Sequence, residues 1–333
     1  MKRILGATAF VSTFALAALA QALSASTASA SETYPDRPIR WVVPYPAGAP
    51  TDTVARKLAD AISKKTGWKF FIENKTGAAG TIGAADVARS PGDGYSFLVS
   101  TGDALVANAV SMKSVTYNPR KDFALVSQIA SAGYVMLVGP QLGVNTLSEL
   151  IAKVRSTPAG WNVGVTGPAS PQNLITRALA KKTGILLNTV PYQGSAPAVQ
   201  DVLSGNVEIT YTGAILAAPF VETKKLVAIA TNGPTRSALL PDVPTFAELG
   251  FSDPVFMAPT WLGIAAPAKT SPDIITRMAR MVKDAMAEPE LDAFVKGQGF
   301  DVIANTPDEF RAAFEREFET IPALIKDALG GTN

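Results

Sequence analysis

The sequence predicts an α/β protein of two domains, each a largely parallel sheet flanked by helices. Three observations lead to this prediction. Short β-type segments alternate with helical patterns through most of the chain, which is the rhythm of β-α-β units. A chain of 333 residues is too long for one such sheet of ordinary size. No long glycine/serine-rich or charged linker divides it, so we expect the chain to cross between the domains through short segments.

The individual elements follow from hydrophobic periodicity and capping signals. Gly67 is placed to end the first helix as a C-cap, and Thr146 to begin a later helix as an N-cap. The apolar stripe of the first helix consists of Val54, Leu58, Ala61 and Ile62. The predicted strands are residues 40–43, 69–72, 95–99, 135–138, 162–165, 188–190, 207–211 and 226–230. The predicted helices are residues 53–66, 81–90, 147–155, a segment after 172 that runs through 182, 196–204, 273–287, 290–297 and 307–329.

The first 30 residues have the pattern of a secretory signal peptide. Lys2 and Arg3 form a basic start, residues 4–23 are apolar, and Ala28-Ser29-Ala30 is an A-x-A cleavage site. We therefore expect cleavage after Ala30 and a periplasmic protein. No later apolar run approaches the roughly 20 residues that a membrane-spanning helix needs.

The composition excludes several classes of function. The full chain has 30 Lys and Arg residues against 28 Asp and Glu residues, and removing Lys2 and Arg3 leaves 28 of each. A neutral protein has no net field that attracts nucleic acid. The chain has no His and no Cys, which excludes the usual Ser-His-Asp and Cys-His catalytic sites, Cys/His zinc sites and disulfides. We predict no catalytic residue, no metal site and no cofactor.

Acidic residues are the remaining route to catalysis in such a chain. Asp52 and Asp103 are the candidates for a periplasmic enzyme. Asp52 is explained more simply as an acid in the first turn of a helix, where it stabilises the helix by about 0.3–1 kcal/mol. The densest acidic set is Glu315, Glu317 and Glu319, which we expect to form a solvent-exposed helix face. The opposite, apolar face of that helix carries Phe310, Phe314 and Phe318.

The segment from Trp41 to Asp52 is a candidate anion-binding site. It has the pattern of a buried strand, a tight turn of Pro, Gly and Ala, and the start of a helix. Backbone N–H groups at such a helix N-terminus attract anions, and the loop contains no Lys or Arg, so backbone dipoles would do the binding. The alternative is an ordinary connection between a strand and a helix, and the segment alone does not decide between them.

Short motifs in a characteristic order run from Tyr34 to the C-terminus. They are Tyr34–Arg40, Pro44–Gly48 with Thr51-Asp52, Glu73-Asn74-Lys75 with Gly77–Gly80, Asp93-Gly94-Tyr95, Tyr117-Asn118-Pro119 with Asp122-Phe123, Val190–Ala198, Leu240–Thr245, and Trp261-Leu262-Gly263 with Ala266-Pro267-Ala268. Each motif is weak alone, but their order and spacing are specific. By these motifs the chain resembles the Bug-type receptors, the periplasmic substrate-binding proteins of tripartite tricarboxylate transporters.

This resemblance implies a two-lobed periplasmic-binding-protein fold with a ligand cleft between the lobes. Lobe 1 is expected to contain residues 31–135 and 259–333, and lobe 2 residues 136–258. The implied ligand is a small organic mono- or dicarboxylate, aliphatic or aromatic, and the implied partners are the membrane subunits of a tripartite transporter. The residues expected to bind the ligand are Tyr45, Ala47, Gly48, Ala49, Thr51, Thr101, Thr166, Ala169, Ser170, Gln172, Asn173 and Thr212. Receptors of this design are usually monomers.

Three departures from the family pattern bear on the ligand. Ala49-Pro50 stands where the family usually has more Gly, and Pro removes one N–H donor. Asn173 stands where His is frequent, so this residue cannot change charge near pH 7. Thr212 follows a strand after which Asp is frequent, and the lost acid argues against a ligand with an ammonium group. A sensor that reports the same ligand to a membrane partner is the alternative function, and the sequence does not separate it from transport.

Overall fold

The computed structural model describes residues 34–112, 114–167 and 170–328. The predicted signal peptide and its cleavage site lie outside these residues, as does Ala169 of the predicted ligand site. No helix in the described ranges is both long and apolar enough to cross a membrane.

The described chain forms two sheets. The strands are β1 (Ile39–Val43), β2 (Phe70–Asn74), β3 (Ser96–Thr101), β4 (Phe123–Ala132), β5 (Tyr134–Val138), β6 (Trp161–Val165), β7 (Leu187–Pro191), β8 (Ile209–Gly213), β9 (Val227–Thr231), β10 (Thr260–Pro267) and β11 (Asp301–Val302). The first sheet has the order β11-β4-β10-β3-β1-β2, and the second has the order β7-β6-β8-β5-β9. We call the first sheet with its helices lobe 1 and the second with its helices lobe 2, and this two-lobed α/β arrangement confirms the predicted fold class.

Helices lie between and around the strands. The longer ones are α1 (Pro50–Thr66), α2 (Thr81–Ala88), α3 (Leu147–Arg155), α4 (Pro171–Thr183), α5 (Ser195–Ser204), α6 (Ala214–Glu222), α7 (Pro272–Met286), α8 (Pro289–Gly297) and α9 (Pro307–Ala328). Their ends follow local chemistry. Gly67 caps α1 in the left-handed conformation, and Thr146 forms a reciprocal capping box with Glu149 at the start of α3.

The strand directions correct one part of the prediction. The β1–β2, β1–β3, β6–β7 and β6–β8 pairs are parallel, as β-α-β units require. The remaining pairs are antiparallel, because β10 lies between β3 and β4, β11 pairs with β4, and β5 lies between β8 and β9. Each sheet is therefore mixed rather than largely parallel.

The chain passes between the lobes at two adjacent places. β4 of lobe 1 continues through Gly133 directly into β5 of lobe 2, and the return path runs from β9 to β10. Asn232 joins the two crossings, since it exchanges hydrogen bonds with the backbone of Tyr134 and donates from Nδ2 to the carbonyl of Ala258 at 2.6 Å. A Cβ at Gly133 would collide with the Asn232 carbonyl. The predicted lobe boundaries near 135 and 259 remain a prediction.

The C-terminal helix α9 packs against both lobes. Phe310 and Phe314 are buried in the core of lobe 1, and the Phe310 ring lies edge-on against Trp261 with centroids 5.1 Å apart. Farther along the helix, Ile321 packs against the cores of both lobes. Burying one large apolar side chain stabilises a fold by about 1.5–3 kcal/mol. The first turns of α9 are thus fixed to lobe 1, while its later turns reach lobe 2.

Candidate functional site

The first predicted loop connects β1 to α1 and is largely open to solvent. Ala47 and Gly48 are exposed, Tyr45 and Ala49 are partly buried, and Thr51 is buried in the first turn of α1. Gly48 has a φ of 83°, a left-handed conformation that favours glycine. The N–H of Ala49 donates to the carbonyl of Pro46 at 3.1 Å, so the loop uses this amide to close its own turn.

Asp52 holds this loop in place. Its side chain is buried, and Oδ2 accepts hydrogen bonds from the N–H of Gly48 and from Nε of Arg56, each at 2.9 Å. Its Oδ1 accepts from Nδ2 of Asn74 at 2.8 Å, and the same Nδ2 donates to the carbonyl of Tyr45 at 3.0 Å. Burial favours the neutral acid, but hydrogen bonds from Arg56, Gly48 and Asn74 outweigh it and lower the pKa of Asp52. Asp52 is therefore an ionised anchor of the loop. It accepts a hydrogen bond from the N–H of Gly48, which is one of the backbone amides predicted to bind a ligand.

Tyr45 and Thr101 meet at the cleft side of lobe 1. The Tyr45 hydroxyl lies 2.5 Å from Oγ1 of Thr101, which joins the first loop to the end of β3. Burial raises the pKa of Tyr45, and the nearby charge of Asp103 acts in the same direction. A Cβ at Gly80 would lie 3.2 Å from the Tyr45 hydroxyl, so the glycine turn before α2 packs closely against this ring. The structure thus brings two of the predicted residues together, and their contact with a ligand stays a prediction.

The second predicted loop forms the N-terminus of α4. Ser170 is the N-cap, and its Oγ accepts a hydrogen bond from the N–H of Asn173 at 3.3 Å. Oγ1 of Thr166 donates to Oε1 of Gln172 at 3.2 Å, and both Gln172 and Asn173 are buried. The described residues of this loop are therefore held as one unit, with the positive end of α4 at its start.

Thr212 lies in β8, where it is buried opposite Val135 of β5. Its neighbour Gly213 pairs with Tyr134, the first residue of β5. Tyr134 is influenced by Asp103 and Tyr45 and hydrogen-bonds Thr260, so it lies where lobe 1 meets both crossings. Burial foremost, and then these charges, raise the pKa of Tyr134. Thr212 is thus one strand away from a side chain that reaches the other lobe.

A cavity lies between the lobes, beside these residues. Lobe 1 contributes the turn after β3, lobe 2 contributes the start of α4, and the return crossing and α9 complete the wall. A Cβ at Gly102 would lie only 2.6 Å from the Trp261 ring, so glycine lets this turn approach the indole. The lining residues include Asp103, Pro171, Leu174, Thr260, Trp261 and Glu317.

Glu317 corrects the prediction for the C-terminal helix. Arg120 pairs with Glu315 at 2.5 Å and Glu319 is exposed, as a solvent-facing helix surface requires. Glu317 instead accepts a hydrogen bond from Nε1 of Trp261 at 2.6 Å and lines the cavity. Residues advance by about 100° around a helix, so Glu315 and Glu319 share one face while Glu317 lies on the opposite one. Glu317 is two full turns from Phe310, and this heptad spacing was the signal that places it on the apolar face.

Both acids that line the cavity have a raised pKa. Burial raises the pKa of Asp103. Burial also raises the pKa of Glu317 to about 7, with a smaller contribution from the charge of Asp103 and an opposing one from the Trp261 hydrogen bond. The sequence analysis named Asp103 only as a candidate catalytic acid, and it did not identify Trp261 or Glu317 as cavity residues.

Comparison with known proteins agrees with this architecture. The model of the tripartite tricarboxylate transporter family receptor matches residues 54–328. Protein BugT of Bordetella pertussis is 32% identical over 298 residues, which cover 89% of this chain and 91% of BugT.

Two solved structures from Rhodopseudomonas palustris show the same fold. One, determined with adipate, is 29% identical with a TM-score of 0.74 and covers 89% of this chain and 98% of that one. The other, MatC with bound malate, is 27% identical with a TM-score of 0.69 and covers 88% of this chain and 100% of MatC. Because the family model spans most of the chain and a relative above 30% identity spans nearly all of it, the protein belongs to the receptor family of the tripartite tricarboxylate transporters.

Proposed function

We propose that the protein captures a small organic carboxylate in the cleft between its lobes and delivers it to the membrane subunits of a tripartite transporter. The observation that carries this proposal is family membership, together with relatives of the same fold that hold adipate and malate. We further propose that the protein works in the periplasm as a monomer, after cleavage of residues 1–30. The family consists of solute-binding receptors and is not a family of enzymes.

The loop chemistry supports a carboxylate rather than a neutral ligand. The N-terminus of α4 faces the cleft side of the fold, where Pro171 lines the cavity between the lobes. A helix N-terminus favours a negative charge by about 0.3–1 kcal/mol at an exposed site and by more when partly buried. We assign one ligand carboxylate to this terminus, near Ser170 and Thr166. Its aliphatic or aromatic body then lies toward the first loop, near Tyr45 and Thr101.

Closure follows from the same arrangement. A ligand that contacts both lobes favours the closed arrangement because it binds that state more tightly than the open one. The two crossings lie side by side at Gly133 and Asn232, and we propose them as the hinge about which the lobes approach each other. The membrane subunits would then distinguish the loaded receptor by its closed shape.

Thermal unfolding of protein purified from the periplasm of expressing cells tests the proposal. The panel is succinate, glutarate, malate, adipate, citrate, benzoate and terephthalate. A ligand at about a hundredfold excess over its Kd adds about 2.7 kcal/mol, which raises the melting temperature by several degrees. If no carboxylate raises the melting temperature, the proposal is wrong.

A charge substitution at a helix cap locates the site. Ser170→Asp keeps an N-cap residue of the preferred kind, so α4 remains capped, but it adds a negative charge where we assign the carboxylate. We expect it to remove the ligand-dependent shift while leaving the unliganded melting temperature nearly unchanged. The matched control is Thr146→Asp, which makes the same chemical change at the cap of α3 and should keep full ligand response. Equal loss in both variants would contradict the assignment.

A further inference from the structure

A turn of lobe 1 touches lobe 2 outside the two chain crossings. This turn is Gln298-Gly299-Phe300, which joins α8 to β11, and we call it the α8–β11 turn. A Cβ placed on Gly299 would lie 3.1 Å from the backbone nitrogen of Ile215 and 3.3 Å from its Cβ. Ile215 is the second residue of α6 in lobe 2. The two lobes therefore meet here by packing alone.

The α8–β11 turn is fixed to lobe 1. The N–H of Gln298 donates to the carbonyl of Phe294 at 3.1 Å, and the N–H of Phe300 donates to the carbonyl of Val295 at 3.2 Å, so the turn closes the end of α8. Oγ1 of Thr53 donates to Oε1 of Gln298 at 3.4 Å, which connects the turn to the first turn of α1, directly after the first loop. The turn therefore moves with lobe 1 and with its ligand loop.

The other side of the contact belongs to lobe 2. Leu239 lies beside Ile215, since its Cδ1 would be 3.5 Å from the same Cβ on Gly299, and Leu239 packs against the core of lobe 2. The Ile215 side chain remains 41% exposed although it touches lobe 1. The contact is therefore shallow, and the lobes can separate here without exposing the core of either one.

Both sides of this contact follow strand ends that belong to the cleft. α1 begins after the carboxyl end of β1, and α6 begins at the carboxyl end of β8, where α/β folds bind their ligands. The contact also lies beside the hinge, because Gly213, just before α6, pairs with Tyr134 at the start of β5. A contact so close to a hinge acts as a stop, since a small change in its spacing becomes larger at the far end of the cleft.

We propose that the α8–β11 turn and Ile215 form the closing stop of the receptor. This inference rests on the proposed function, because it concerns how the lobes close on the captured carboxylate. The contact is made when the lobes close and is lost when they open, and it sets the angle at which both ligand loops reach one molecule. Gly299 and Ile215 are positioning residues, and neither lines the described cavity between the lobes.

Glycine at the closing stop serves two purposes, which can be separated. Gly299 has a φ of 80°, a left-handed conformation that favours glycine in any protein. It also leaves too little room for a side chain, since the atoms of Ile215 would be closer than ordinary van der Waals contact. Gly250 has a φ of 88°, but a Cβ there would have no atom within 4 Å. Comparing the two glycines therefore separates backbone strain from a wedge between the lobes.

A wedge at the closing stop is the first test. Gly299→Ala and Gly250→Ala should both lower the melting temperature, because each places a Cβ on left-handed backbone. Only Gly299→Ala also holds the lobes apart, so its affinity should fall about three- to tenfold, because only the closed fraction binds tightly. Isothermal titration calorimetry measures the affinity. The probe is adipate or, where adipate gives no melting shift, the member of the carboxylate panel that does.

A lock across the closing stop is the second test. The chain has no Cys, so one engineered pair can form only one disulfide within a molecule. In the double variant Gly299→Cys with Ile215→Cys the two Cβ atoms start 3.3 Å apart, near the spacing that a disulfide needs. Oxidation after loading should retain the probe through dialysis, oxidation before loading should exclude it, and reduction should restore exchange. The reduced protein is the matched control, because it has the same sequence.

A second control checks the position of the lock. Gly297 is two residues before Gly299, at the end of α8, and a Cβ there would face open space. The pair Gly297→Cys with Ile215→Cys should therefore not cross-link under the same conditions. Thermal melts of each reduced variant without ligand confirm that it is folded.

The outcomes separate the two proposals. If Gly299→Ala binds the probe as tightly as Gly250→Ala does, or if the oxidised and reduced double variants exchange it at the same rate, the closing stop is overturned and the carboxylate receptor stands. If the pair at 299 and 215 does not cross-link, the contact is not made in solution, and the closing stop is again overturned. If the wild-type protein binds no carboxylate of the panel, the proposed function fails, and this inference fails with it.

Discussion

Asp52 is a buried carboxylate at the first loop, whereas Asp103 and Glu317 are partly buried acids that line the cavity, and their surroundings differ in kind. Asp52 accepts hydrogen bonds from Gly48, Arg56 and Asn74, and its pKa is lowered. Among the residues that the structure describes, Asp103 has no such partner and Glu317 has only the Trp261 indole as a donor, and both have a raised pKa. The comparison shows that residue type does not decide what a buried acid does. Its partners decide whether it fixes the fold or remains available to a ligand.

The largest effect should come from removing the satisfied acid. Asp52→Ala removes the acceptor of the Gly48 N–H, one of the two acceptors of the Asn74 amide, and the ion-pair partner of Arg56. Because three hydrogen bonds to a buried carboxylate are lost, we expect the free energy of unfolding to fall by about 2–3 kcal/mol, measured by urea denaturation. The control is Asp60→Ala on the exposed side of α1, where the pair with Lys64 is solvated and its loss should cost about 0.5 kcal/mol or less. Similar small losses in both variants would mean that Asp52 is not an anchor.

A smaller effect of opposite sign should appear at Glu317 and should depend on pH. The pKa of Glu317 rises from 4.5 to about 7 on folding, so folding takes up a proton in this window. The free energy of unfolding is therefore not reduced by Glu317 below pH 4.5, and it falls as the pH rises from 4.5 through 7. Glu317→Gln should stabilise the unliganded protein at pH 8 by about 1–3 kcal/mol and have little effect at pH 4.5. Thermal melts at both pH values check this.

Asp52 should show the reverse pH dependence. Its folded pKa lies below the ordinary value of 3.8, so its contribution is present above that pH and is lost as the pH falls through the folded value. Asp52→Asn should therefore make the stability of the protein less sensitive to acid below pH 4. Acid titration followed by circular dichroism measures the difference. An unchanged acid transition would contradict the role of Asp52 as an ionised anchor.

The contact between the first loop and β3 sharpens the comparison further. Tyr45→Phe removes one hydrogen bond to Thr101 and should cost about 1 kcal/mol of stability. Because the ring stays in place, ligand affinity should change less than it does for Ser170→Asp. Calorimetry on the two variants with the same ligand makes the comparison, and a larger loss for Tyr45→Phe would shift the ligand toward the first loop.

The smallest expected effects are those of two helix caps. Ser170→Ala and Thr146→Ala each remove an N-cap hydrogen bond, at a cost of about 1 kcal/mol. Only Ser170→Ala lies at the predicted ligand site, so only it should also weaken ligand binding. Paired melts with and without ligand separate the structural cost from the binding cost.

Local signals predicted most of the fold. The helix α1 with its Gly67 cap, the N-cap at Thr146 and the strands of the β-α-β units all depend on neighbours within a few residues, and these predictions are confirmed. The strands β4 and β10 were missed, although they form the centre of lobe 1. β4 pairs with a segment about 135 residues later in the chain, where Thr260 lies opposite Ala132 and Pro267 opposite Phe123. No local pattern specifies such a long-range antiparallel partner.

The candidate site was predicted unevenly for the same reason. Loops next to helix N-termini are visible in sequence, and Ser170 does cap α4 as an N-cap serine should. The crossing from β4 to β5 brings Tyr134 close to Asp103 and Thr260, and the path of α9 across both lobes brings Glu317 to the cavity. Those positions depend on how distant elements pack. The sequence analysis placed Glu315, Glu317 and Glu319 on one face of α9. The helix period of 3.6 residues instead places Glu317 on the face of Phe310, and this spacing was present in the sequence.

The strands of the second sheet, β5 to β9, lie in one continuous segment between β4 and β10 of the first sheet, and Asn232 holds the two ends of that segment side by side. Entry and exit at one point allow the inserted segment to be exchanged as a cassette without rerouting the chain. A recombinant that takes this segment from another receptor of the family inherits the α4 half of the cleft from one parent. It keeps the first loop from the other parent, so a receptor with a new combination of ligand-binding loops can arise from a single recombination event.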